Sequence, residues 1–134
     1  MKNEQIRKKL VDIWGAEGLW TPLNGEIASE TLDYFELDEF QSAFGLEKLK
    51  EILEELEAGP IHEISEIQED RIIPVSEIDE YVGIEMFYTD SDASWVIYLS
   101  HENTITIAGA RLLDALKQKW ANYNDFNKPW EKKS

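Results

Sequence analysis

The chain holds two histidines, and a glutamate follows each of them: His62-Glu63 and His101-Glu102. A histidine beside a carboxylate is the least from which a general base or a metal site can be built, because the carboxylate orients the ring. A zinc site asks for three or four ligands in spaced groups such as His-x-x-x-His, and a base asks for a positioned partner and a pocket. The spacing supplies neither, so no metal site and no catalytic residue is assigned. His101 reads as a polar residue of a hairpin turn. Asp90-Ser91-Asp92 sets oxygen ligands two residues apart, as a hard-cation loop begins. Trp95, Val96 and Ile97 then follow, where such a loop would continue with a glycine and a bidentate glutamate. Asp and Ser also suit a hairpin connection, since their side chains bond nearby backbone groups. One ligand site can still be composed at the edge of a β-meander. Asp90, Asp92, His101 and Glu102, with Arg111 nearby, would take a small molecule or a cation.

Nucleophile and phosphate signatures are missing from the sequence. It has no Gly-x-Ser-x-Gly elbow, no Ser-x-x-Lys and no glycine-rich phosphate loop. It has no cysteine either, which removes disulfides, thiolate metal sites and a Cys nucleophile together. Gly109-Ala110-Arg111 sits where a strand hands over to a helix, and the glycine reads as a tight turn. The expectation is a protein that is not an enzyme and needs no cofactor.

Charge is the strongest compositional signal. The formal net charge is −15, and it is unevenly spread. Residues 1–10 carry +3 and residues 111–134 also carry +3, whereas 51–80 hold eleven acids against Arg71 alone. An acidic middle repels a polyanionic duplex and an acidic membrane surface, so neither nucleic acid nor membrane is an expected partner. It attracts basic proteins and speeds their encounter. Large rings ringed by carboxylates are the usual material of a protein-binding hot spot. Trp20, Tyr34 and Phe35 beside Glu36, Asp38 and Glu39 form one such group, with Glu54, Glu55 and Glu57 as steering charges. Trp14, Trp95 and Trp120 fall instead on faces expected to be buried.

In size, acidity and lack of cysteine the chain is similar to the immunity proteins that mask cationic bacterial toxins. That likeness is one of totals, not of motif. It implies a small acidic binding module of immunity or inhibitor kind, with a basic protein as its partner. A small-molecule or cation site at the meander edge is the alternative.

The elements that must position these residues follow from hydrophobic periodicity. Ile6, Leu10, Ile13 and Trp14 make one stripe of an N-terminal helix over 4–14. Leu37, Phe40 and Phe44 share a helical face that Gly45 stops, and Leu46, Leu49, Ile52, Leu53 and Leu56 mark a stronger helix ended by Gly59-Pro60. Residues 27–35 fit a strand or an irregular lead-in. For 61–83 two readings stand: a helical step of three through Ile61, Ile64 and Ile67, or a short strand over 71–75 with Pro74 on an edge. From residue 84 to 108, three β-rich runs with hairpin-length connections predict an antiparallel meander of three or more strands. Trp95 to Leu99 has no polar face, so that strand is expected to be central and covered on both sides. Leu112, Leu113, Leu116 and Trp120 then stripe a C-terminal helix. At 134 residues and 43% hydrophobic the expectation is one α+β domain with a loosely held tail over 122–134. The basic start has no apolar run behind it, and no run approaches a bilayer span, so a cytoplasmic location is expected. Oligomeric state is left open.

Overall fold

The computed structural model describes residues 2–14, 32–56, 60–65, 70–78, 86–100 and 103–126. Trp95 through Leu99 are all buried, and their side chains divide between two separate cores. Alternate residues of a strand face opposite sides, so a strand with no polar face needs a layer on each. This strand lies inside a six-stranded sheet. Its members are β1 (Leu32–Glu36), β2 (Ile61–Ser65), β3 (Arg71–Ile73), β4 (Met86–Thr89), β5 (Val96–Leu99) and β6 (Thr104–Ala108). Their order is β1-β6-β5-β4-β2-β3, and every neighbouring pair is antiparallel. β4, β5 and β6 are the expected meander. The sheet then widens by β1 on one side and by β2 and β3 on the other.

Among the described residues one helix covers the first face. In α1 (Lys2–Trp14), Ile6, Leu10 and Trp14 pack on Leu32, Ile64, Phe87, Val96 and Tyr98. Ile13 was expected in the same stripe; it sits at the stripe's margin and is exposed. The Trp14 indole N–H donates to the Ala93 carbonyl at 2.8 Å, so the ring is buried without losing its hydrogen bond. The other face carries α2 (Leu37–Ala43), α3 (Leu46–Glu55), α4 (Ala110–Lys119) and the short α5 (Tyr123–Phe126). Their apolar stripes meet Phe35, Ile97, Leu99, Ile105 and Ile107 in the larger core. Each such Leu, Ile or Phe contributes roughly 1.5–3 kcal/mol on burial.

Two glycines set the joints. Gly45, at φ +104°, lets α2 end and α3 begin at once, and the Gln41 side-chain oxygen accepts the Leu46 N–H. Gly109 has φ +116°, and a Cβ there would lie 2.9 Å from both the Ser94 carbonyl oxygen and the Trp95 Cβ. Only glycine lets α4 start so close to the β4–β5 hairpin.

Three stretches differ from expectation or resolve it. Residues 61–65 form a strand rather than a helical step. All five are buried, so the period of two is hidden behind a run with no exposed face. β3 and the following one-turn 3-10 helix, Val75–Glu77, match the edge-strand reading of 71–75. The segment expected as a tail opens with α5, whose Tyr123 is buried in the core; residues 127–134 lie outside the described set.

Candidate functional site

Among the described residues the sheet ends at β3, and the local sequence explains why. Pro74 has no N–H to continue a ladder, so pairing stops at Ile73. A three-residue strand is held weakly by its own hydrogen bonds, and here charged side chains fix it. Glu63 on β2 is buried to 1% exposure and pairs in register with both Arg71 on β3 and Tyr88 on β4. Its carboxylate accepts the Arg71 Nε–H at 2.8 Å and the Tyr88 hydroxyl at 3.2 Å. A buried carboxylate bonded to both neighbouring strands penalises any slip of register, because a slip would leave it buried and unsatisfied.

The approaches to β3 are tied down in the same way. Asp70 accepts the Ser65 backbone N–H at 3.1 Å and the Arg7 guanidinium at 2.8 Å, and Arg7 also reaches the Ser65 carbonyl. Beyond Pro74, the Lys50 ammonium of α3 donates to the Ser76 carbonyl at 3.3 Å. The middle of this pinned strand is nonetheless open. Ile72 is 57% exposed, the largest exposure among the exposed large apolar side chains described. Beside it lies an open groove of about 510 Å³, formed by Glu54, Pro60, Ile72, Ile73, Pro74 and Val75 among others. Its walls are mostly apolar. Glu54 is exposed on one side, and Glu77 is exposed on the turn that follows. Such a place offers apolar contact, an edge strand's backbone and negative charge together. Among the described residues no cluster of three or more His, Asp or Glu stands where it could hold a metal ion.

The residues singled out from sequence are distributed differently. Phe35 is fully buried, with ring centroids 5.5 Å from Phe40 and 5.4 Å from Trp120, so it is core and not a docking ring. Tyr34, next along β1, is half-buried against the α1 side. Consecutive strand residues face opposite sides, which is why the two rings part company. Glu36, Asp38 and Glu39 are exposed around the start of α2, where acids complement the helix dipole. Glu55 pairs with Lys119 at 2.8 Å. Glu54 alone of the described group lines the groove. Trp20 and Glu57 lie outside the described residues.

The alternative ligand site is not brought together by what is described. Asp90 accepts the backbone N–H groups of Asp92 and Ser94 at 3.2 and 2.8 Å, and its other oxygen accepts the Ser94 hydroxyl. That is turn chemistry, and it holds Ala93 at φ 53°. Asp92 is exposed and faces Lys9 at 3.8 Å. His101 and Glu102 lie outside the described residues. Arg111 is exposed in the first turn of α4. The other histidine, His62, is buried on β2 with Nε2 3.1 Å from the Ser91 hydroxyl.

Tyr123 is pushed far from its ordinary behaviour. Burial, then its hydrogen bond to Asp33 and that carboxylate's charge, raise it well above the usual tyrosine value. A phenol held this way keeps its proton and acts as a donor, which suits a structural clasp rather than a base. The signal for the β3 site was present in Arg71-Ile72-Ile73-Pro74: two adjacent isoleucines before a strand-ending proline leave one of them on the outward face. Comparison with known protein families, with curated proteins and with solved structures finds no match to this chain.

Proposed function

We propose that this chain is a non-catalytic protein-binding module of immunity or inhibitor kind that engages a basic protein. The observation that carries the reading is the apolar groove beside exposed Ile72, with Glu54 on its wall, in a chain of net charge −15. An exposed apolar anchor beside carboxylates suits a partner that brings an apolar side chain among cations. The general negative field would draw that partner in, and the field's reach shrinks with added salt. Nucleic acid meets the same field as repulsion, which favours a protein as the ligand. A tagged pull-down from native lysate tests this. It predicts a basic protein retained at low salt and depleted at about 0.5 M, where the screening length is only a few ångströms. A partner held equally at both salt levels, or an acidic one, would refute the reading.

A further inference from the structure

We propose that the basic partner adds an extended segment to the sheet as a further strand beside β3, and that this segment alternates apolar and basic residues. The inference rests on the protein-binding reading above and specifies its mode. Alternate residues of a strand direct their backbone N–H and C=O to opposite sides. β3 pairs with β2 on one side only, and among the described residues no strand lies on its other side. Part of its backbone therefore faces outward, as in strand-addition sites generally.

The register then dictates what the added segment must carry. Ile72 pairs with His62, whose β4 partner Thr89 pairs in turn with Val96 on the α1 face, so Ile72 points to that face. Ile73 points the other way, into the core beneath α3, the helix that carries Glu54. A paired strand shows its side chains to the same two faces in alternation. On the Ile72 side an apolar residue is wanted; on the α3 side a lysine or arginine near Ile73 would meet Glu54, while Arg71 on that same side is already paired with Glu63. Pro74 limits the ladder to three residues, so the side-chain anchor and the charge must supply most of the specificity. A second copy of this chain is a poor occupant, because each copy brings a net charge of −15.

The test uses the full chain and two capped peptides of equal charge, one alternating valine with lysine and one alternating glycine with lysine. Backbone amide shifts and hydrogen exchange are followed during titration at low salt. The expected result is shifted, slowed amides at Arg71–Ile73 with the valine peptide, bound about tenfold more tightly than the glycine peptide. Ile72→Asp should erase that difference even though it adds an acid; a binding mode resting on charge alone would instead tighten. Should Ile72→Asp loosen β3 itself, Ile72→Thr keeps a β-branched side chain and should lose part of the same preference. Equal binding of the two peptides, indifferent to Ile72, overturns strand addition and leaves the basic-partner reading standing. If neither peptide binds at low salt, both fall.

Discussion

The two edges of the sheet are built on opposite principles. At β1 the strand pairs with β6 over five residues, and Phe35 sits in a nest of rings with Phe40, Trp120 and Tyr123. Trp120 also stacks on Phe44 at 5.0 Å and on Phe126 at 5.5 Å, which gathers β1, α2, α4 and α5 into one aromatic cluster. At β3 the strand is three residues long, its middle residue is exposed, and the Glu63–Arg71 pair holds its register. Aromatic burial supplies stability, whereas ionic pinning fixes position at little net gain. Among the described residues no strand covers that edge, which is held in place and suits a partner. On the proposed reading, stability lies at one end of the sheet and recognition at the other.

The largest effect is expected from large-to-small changes at β1. Phe35→Ala should cost about 3–5 kcal/mol in urea denaturation, since it empties a fully buried ring site. A loss below about 1 kcal/mol would mean the cluster does not carry that edge. Next in size is Arg71→Met, which takes the paired guanidinium from the buried Glu63 carboxylate. About 2 kcal/mol is expected, below the usual cost of breaking a buried pair because Arg71 is itself half-exposed. The loss should be accompanied by faster amide exchange in β3 but not in β1.

Tyr123→Phe is smaller still, about 1 kcal/mol for one hydrogen bond to Asp33. It carries a pH signature whose sign is fixed. Tyr123 is raised in the folded state, so its contribution is fully present below the ordinary tyrosine value near 10 and is lost as pH rises beyond it. Stability should therefore fall above about pH 10, and Tyr123→Phe should make that fall less steep, as read from denaturation midpoints across the alkaline range. Smallest is Ile72→Asp, for which less than about 1 kcal/mol is expected because the side chain already faces water. A loss matching that at Phe35 would show that β3 carries stability as well and would dissolve the contrast between the two edges.

Much of this was legible in the sequence, for identifiable reasons. Trp95 to Leu99 announced a two-sided strand because every position was apolar, and the stripes of α3 and α4 followed the helical period directly. β2 was hidden for the converse reason. His62 and Glu63 look like exposed polar residues, but hydrogen bonds between His62 and Ser91 and from Arg71 and Tyr88 to Glu63 allow them to be buried, and a strand buried along its whole length shows no alternation. Phe35 misled because its acidic neighbours suggested a surface, whereas strand geometry turns it inward and leaves Glu36 outside. The β3 groove depends on Pro60 and Glu54 being carried to Ile72 by the fold, a juxtaposition that no local pattern encodes.

Side-by-side retention of a partner from native lysate by the unaltered chain and by Ile72→Asp, washed at low salt and at about 0.5 M, tests the division most directly. The expected result is a basic protein kept by the unaltered chain at low salt, released at high salt, and lost from Ile72→Asp although that variant is more acidic and still folded. The same protein retained equally by both chains would contradict it and move recognition away from the β3 edge.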